Sequence, residues 1–265
     1  MQSQATDAEL RAAMQLRQAQ ECGQPCAPVR TLLADNDLDS AYRVQQLNTE
    51  YWQQQGRRLV GRKIGLTSKE VQTQLGVNQP DFGALFADMA IAEGDEIPFS
   101  AVLQPKIEAE VALVLEQDLD MQQPTLADIL RATAFALPAL EIVGSRVENW
   151  DIRIVDTVAD NASSGLYVLG GKPTPLSQID LKLCGMSLSC RGEPVSTGAG
   201  VACLGHPLSA ALWLAKTMAQ LGQPLRAGDT ILTGALGPMV TVQPGDVFDC
   251  EISGLGSVRA SFSAK

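Results

Sequence analysis

Between Lys106 and Leu115 the chain alternates in character: Ile107, Ala109, Val111, Leu113 and Leu115 fall on one side of an extended segment, Glu108 and Glu110 on the other. The pattern predicts a strand with one core face and an opposite face that holds two carboxylates side by side. Short apolar or alternating runs bounded by Gly, Pro and Asp predict further strands at 59–66, 135–143, 165–169, 181–190, 230–233, 247–252 and 257–262. Helical spacing runs through Leu10, Ala13, Met14 and Leu16 in 7–22, and through Leu38, Ala41, Val44, Leu47 and Tyr51 in 37–55, with a turn at 22–28 between them. Shorter helices are predicted at 68–75, 125–131 and 207–221. Strands that do not alternate regularly with helices argue for an α+β fold, divided into a helical N-terminal region at 1–58 and a β-rich domain at 59–265.

The chain has 265 residues, 45% of them hydrophobic, enough to bury a full core. A formal net charge of -10 without any long basic run argues against a nucleic-acid partner. The first ten residues have neither the basic segment nor the apolar core of a leader, and no apolar run approaches the roughly 18 residues of a membrane span. A cytoplasmic protein without a membrane partner is therefore expected. Six cysteines at 22, 26, 184, 190, 203 and 250 form no Cys-x-x-Cys pair and read as reduced thiols. The single histidine, His206, rules out a site built on histidine pairs. Its place before Pro207 and an amphipathic run favours a helix-start role over catalysis.

Glu141 is the only charge in the apolar run 132–144. Two neighbouring anions repel, and a carboxylate in an apolar stretch loses hydration. A hard divalent cation, Mg²⁺ or Mn²⁺, would relieve both costs, because carboxylate oxygens without imidazole or thiolate favour such ions. The alternative is a solvated sheet face, with Glu141 paired to a basic residue. Arg57, Arg58, Arg62 and Lys63 make a local positive field that either attracts a small anion or forms an ordinary surface patch; Gly61 and Gly65 leave room beside Lys63. The stretch 156–165, rich in small hydrogen-bonding residues, either presents donors to a carboxylate ligand or forms a capped loop. Asp81-Phe82-Gly83 spells the kinase metal triplet without the rest of the kinase set. Gly198 to Cys203 falls one residue short of a dinucleotide fingerprint and reads as a tight turn.

Six segments, 61–67, 79–86, 104–110, 137–143, 156–163 and 232–239, closely resemble the 2-keto-4-pentenoate (2-hydroxypentadienoate) hydratases of the fumarylacetoacetate hydrolase superfamily. The likeness covers nearly the whole chain in order and is least distinctive in the N-terminal helices. It implies a mixed β-roll with a small helical N-terminal part, a homo-oligomer, and Mg²⁺ or Mn²⁺ held by Glu108, Glu110 and Glu141. The reaction it implies is hydration of 2-hydroxypenta-2,4-dienoate to 4-hydroxy-2-oxopentanoate in the meta-cleavage degradation of aromatic compounds. Within that chemistry Lys63 is expected to meet the substrate carboxylate or enol oxygen, Asp81 to move a proton or place water, Ser163 to bind carboxylate, and Leu85 to contact substrate. The superfamily's carbon-carbon hydrolases use a histidine with an acidic partner, and His206 stands in a different context. Two alternatives remain: 4-oxalocrotonate decarboxylase, whose substrate has a second carboxylate to be met by a cation such as Arg146 or Arg153, and a non-catalytic partner that associates with other pathway enzymes.

Overall fold

The computed structural model describes residues 5–34, 36–74 and 77–265. The N-terminal part holds α1 (Asp7–Cys22) and α2 (Leu38–Gln54). A reciprocal cap starts α1: the Thr6 hydroxyl accepts from Glu9 N, the Glu9 carboxylate accepts from Thr6 N, and Gly23 closes the helix at φ 69°. Then come β1 (Leu59–Gly65), α3 (Lys69–Gln74), β2 (Asp81–Phe86), β3 (Ala90–Ile91), β4 (Glu96–Ile97), β5 (Lys106–Leu115), α4 (Leu126–Ala132) and β6 (Thr133–Val143). The chain continues through α5 (Ile154–Ala159), β7 (Leu166–Leu169), β8 (Gly185–Cys190), β9 (Glu193–Ala199), α6 (Pro207–Gln220), β10 (Thr230–Ala235), β11 (Val240–Thr241), β12 (Val247–Ile252) and β13 (Gly256–Phe262). The last residue of the helix expected at 68–75 lies outside the described residues.

Among the described residues the strands form two mixed sheets. The larger runs β2-β1-β10-β5-β6-β7-β3, with β11 added beside β5, and the smaller runs β4-β13-β12-β8-β9. The core lies where the second sheet packs on β6 and β7: Ile107, Val111, Leu113, Leu140 and Ile142 meet Leu188, Phe248, Val258 and Phe262, and α6 adds Leu208, Ala211, Leu214 and Met218. His206 starts α6 as expected, its Nδ1 accepting from Leu208 N at 3.0 Å with Pro207 in the first turn.

The large sheet is rolled. β2 and β7 stand five ladder steps apart, about 24 Å in a flat sheet. Yet Asn161, just before β7, grips Ala84 of β2 as a strand neighbour would: its Oδ1 accepts from Ala84 N at 2.7 Å and its Nδ2 donates to Ala84 O at 2.9 Å. Gly83 permits the approach, since a Cβ there would lie 2.3 Å from Asn161 O. Replacing Asn161 by alanine removes both bonds and a residue suited to its left-handed backbone (φ 55°), so about 1–3 kcal/mol of unfolding free energy should be lost in urea denaturation.

Three expectations change here. The strand expected from Leu181 begins at Gly185, because the Asp180 carboxylate accepts from Lys182 N and Leu183 N and holds a turn there. The stretch 156–165 starts as helix α5. Its Asp156 faces away from any ligand, accepting from Arg30 N at 2.8 Å and pairing with the Arg30 guanidinium at 2.7 Å. The basic cluster also disperses: Arg57 pairs with Asp88 at 2.7 Å and covers Phe86, while Arg62 reaches toward Gln223, so Lys63 alone turns into the roll.

Candidate metal and substrate site

The concave face of the roll gathers Glu108, Glu110, Glu141, Lys63 and Asp81. Glu108 and Glu110 leave β5 on the face opposite Ile107, Ala109 and Val111, as alternation requires. On β6, Glu141 stands directly opposite Glu108 in the antiparallel register, and Glu110 faces Ala139 one diagonal step away. Like charges set opposite across a ladder destabilise a sheet. Here they are also buried: Glu110 and Glu141 are each 1% exposed, and Glu108 is half-buried.

Lys63 enters from β1 and is 4% exposed. Its Nζ lies 3.2 Å from Glu141 Oε2 and donates to Ala162 O at 3.0 Å. Burial by itself would lower its pKa, but Glu141, Asp81, Glu108 and Glu110 outweigh burial and raise it, which favours the ammonium. Asp81, paired with Gly65 in the β1–β2 register, lies on this same face. Gly65 makes space for it, since a Cβ there would come within 2.2 Å of Asp81 Oδ1.

The acids are all pushed up, burial being the largest cause. Asp81 rises to about 6, with Lys63 opposing and Glu141 adding to the rise. Glu108 rises to about 7 against Lys63, with help from Glu141 and Asp81. Glu110 rises well above the usual range through burial, Glu141 and Glu108, and Glu141 rises despite Lys63.

Ser163 comes from a segment with an unusual backbone. Asn161, Ala162 and Ser163 all have left-handed φ, at 55°, 51° and 57°. Such conformations cost free energy in non-glycine residues and persist only where the surroundings impose them. Arg146 imposes them: its guanidinium donates to the carboxylate and carbonyl of Asp160 and to Ser164 O, and its backbone N–H donates to Asp160 Oδ2. The turn delivers the Ala162 carbonyl to Lys63 and leaves the Ser163 hydroxyl buried with no partner. Leu85 belongs to an apolar floor with Ala112, Leu137, Ala139, Tyr167 and Leu232. In register with Gly61, it shares the face that carries Asp81 and Lys63.

Do these residues suit a divalent ion? Both oxygens of Glu141 and both of Asp81 are buried with no hydrogen-bond donor, the Lys63 ammonium standing near Glu141 but out of line. Buried lone pairs of this kind are uncommon and demand a positive partner. All donors are hard oxygens, and four carboxylates outnumber one lysine. The side chains as they stand do not form a ready cage: among the described residues, no three or more His, Cys, Asp or Glu side chains are disposed together to hold a metal. Glu110 accepts at one oxygen from Gly234 N at 2.7 Å, and Glu141 lies 3.2 Å from the Lys63 ammonium. Donor chemistry and unpartnered buried oxygens both fit a hard dication.

The sequence reading missed Asn161, the Ala162 carbonyl and the Gly234 N–H. Glycine at 234 is required because its φ is 110° and a Cβ would strike the Thr67 side chain. Only the asparagine carried a local signal, its tolerance of left-handed backbone. Gln45 was missed too: from α2 its Nε2 donates to Phe82 O and Val158 O, tying β2 to α5 behind the site.

Residues 54–263 match the sequence model of the fumarylacetoacetate (FAA) hydrolase C-terminal family. The chain is 59% identical over 253 residues to a 2-keto-4-pentenoate hydratase of Paraburkholderia xenovorans, covering 96% of this chain and 94% of that one. It is 60% identical over 258 residues to the TodF product hydratase of Pseudomonas putida, covering 97% and 96%. Among solved structures it superposes, with a TM-score of 0.93 and 34% identity, on 4-oxalocrotonate decarboxylase from Pseudomonas putida G7 complexed with magnesium and adipate, covering 99% of this chain and 100% of that one.

Proposed function

Since the chain belongs to the fumarylacetoacetate hydrolase family, we propose that it hydrates 2-hydroxypenta-2,4-dienoate to 4-hydroxy-2-oxopentanoate, as a metal-dependent hydro-lyase of aromatic meta-cleavage degradation. The carrying observation is the register that sets Glu108 against Glu141, with Glu110 one step away, on a face where the buried oxygens of Glu141 and Asp81 lack donors. Glu108, Glu110 and Glu141 would hold a divalent ion, for which Mg²⁺ or Mn²⁺ is the proposal. When bound, that ion supplies Lewis-acid stabilisation of negative charge on the oxygens of a 2-oxo acid.

The remaining work belongs to this chain's own groups. The reaction moves the enol proton off O2, adds a proton at C5, and adds the elements of water across C3 and C4. Lys63, a buried ammonium, orients the carboxylate or enol oxygen and favours the negative charge there. Asp81, with a pKa near 6 and two free oxygens, can give or take a proton near neutral pH, at C5 or at the attacking water. The Ser163 hydroxyl is free to donate to the substrate carboxylate. The floor around Leu85 receives the apolar end of the dienoate and keeps bulk water from it.

Decarboxylation is disfavoured by the fate of the two arginines. Arg146 is consumed by Asp160 and Ser164, and Arg153 is exposed, so neither waits in the site for a second carboxylate. A purely assembling protein would have no reason to keep the cost of three buried acids, Asp81, Glu110 and Glu141. Homo-oligomerisation, association with other pathway enzymes and a cytoplasmic setting belong to the same proposal; among the described residues no helix is long and apolar enough to cross a membrane.

The expected result is loss of dienol absorbance with freshly generated 2-hydroxypentadienoate, abolished by chelator and restored by Mg²⁺ or Mn²⁺, with little change on 2-hydroxymuconate. Faster turnover of 2-hydroxymuconate with release of CO₂ would reverse the assignment.

A further inference from the structure

Along the site face of β5 exposure increases toward the strand's start: Ala112 and Glu110 are buried, Glu108 and Lys106 half-buried. The Lys106 end is therefore the more open end of that face. Lys106 lies two residues from Glu108 on that face. It is held there by a built support. Its Nζ stands 4.2 Å from the centroid of the Trp150 ring, and Trp150 Nε1 donates to Gln104 O at 3.0 Å. The support uses three non-glycine residues with left-handed backbone, Gln104, Asn149 and Trp150, at φ 53°, 56° and 54°. The Gln104 amide is itself pinned by bonds to Ser145 O and Val147 O. Strain of this kind, concentrated at the rim of a site, points to a placed side chain.

The electrostatics show what such a placement would do. The protein has a net charge of -10, and four carboxylates face the site, so an anionic substrate meets repulsion on approach. Lys63 and a dication offset three of the four site charges; Lys106 offsets the fourth at the mouth. We propose that Lys106, held on the Trp150 ring, captures the carboxylate of the incoming 2-oxo or 2-hydroxydienoate anion and passes it inward to Lys63. This rests on the hydratase reading for the identity of the substrate, and on geometry alone for the capture of an anion.

Mn²⁺-loaded wild type, Lys106→Gln and Lys106→Arg would be titrated calorimetrically with pyruvate, the simplest 2-oxo acid, and with Mn²⁺ itself before loading. At low ionic strength Lys106→Gln should bind pyruvate about fivefold more weakly, with the gap closing within about twofold near 0.5 M salt, since a rim charge is screened. Lys106→Arg, which keeps charge and ring contact, should stay near wild type. Mn²⁺ affinity should not fall, and with 2-hydroxypentadienoate the loss should appear in KM and not in kcat. Equal pyruvate affinity in Lys106→Gln at low salt, a deficit that persists undiminished at high salt, or lost Mn²⁺ binding would each overturn the capture role. A wild type that binds pyruvate through Lys106 yet leaves the dienoate unhydrated would remove the hydratase reading and keep this one.

Discussion

Replacing Lys63 by alanine should cut turnover of 2-hydroxypentadienoate by about three orders of magnitude, the range found when a preorganised charge aimed at a reacting oxygen is lost. Metal binding should survive. The Lys63 ammonium contacts Glu141 at 3.2 Å and so competes with a cation for that carboxylate; removing it leaves Glu141 with no positive neighbour at contact distance. Mn²⁺ affinity in Lys63→Ala, measured by calorimetry, should therefore equal or exceed that of the wild type. The metal-free variant should also be the less stable one, because a buried carboxylate has lost its partner, while saturating Mn²⁺ recovers most of the difference in thermal melts. Near-normal rates, or a variant that no longer takes up metal, would refute the role assigned to Lys63.

Replacing Glu110 by glutamine should have the opposite signature. Glutamine is close in shape and its carbonyl oxygen can still accept from Gly234 N, so the fold around β5 and β10 has no reason to rearrange. In the metal-free protein one of several crowded buried anions is gone. About 1–2 kcal/mol of repulsion and desolvation is relieved, which for a chain of this size raises the midpoint by several degrees. Activity should nevertheless fall at least a hundredfold, and Mn²⁺ binding should weaken by a similar factor, because a neutral amide replaces an anionic ligand. A stabilised metal-free protein that has lost its metal and its turnover is the expected combination. If Glu110→Gln proved less stable without metal, the claim that these carboxylates repel in the folded state would fail.

The two variants separate the halves of the site. In the proposed site Lys63 would serve the substrate and Glu110 the metal, and Glu141 stands between them, opposite Glu108 on the next strand and against Lys63 across the roll. That meeting also reconciles the two readings left open for Glu141. It does pair with a basic residue, and in the same place it presents oxygens without hydrogen-bond donors.

Much of this could be read from the chain because it depends on neighbours in sequence. Alternation from Lys106 to Leu115 put Glu108 and Glu110 on one face, the spacing of Leu208, Ala211, Ala215 and Met218 marked α6, and His206 before Pro207 marked its start. The apolar run marked Glu141 and the basic run Lys63, the motif likeness added roles for Asp81, Leu85 and Ser163, and Lys63, Asp81, Leu85 and Glu141 share the concave face of one roll. Local pattern failed where long-range contact decides local shape. β2 and β9, interrupted by Gly83 and by Pro194 and Gly198, do not read as strands, yet each is held by a neighbouring strand remote in sequence or across a hairpin. The left-handed turn at Asn161–Ser163 exists because Arg146 and Ala84 hold it. The cross-ladder opposition of Glu108 and Glu141, the reach of Lys63 across three strands and the stack of Lys106 on Trp150 likewise depend on register and curvature. The residue types and their alternation thus came from the sequence alone, since a strand's period is a property of its own backbone. Which charges meet was decided only by tertiary structure, because burial and distance, not order along the chain, set the energy between them.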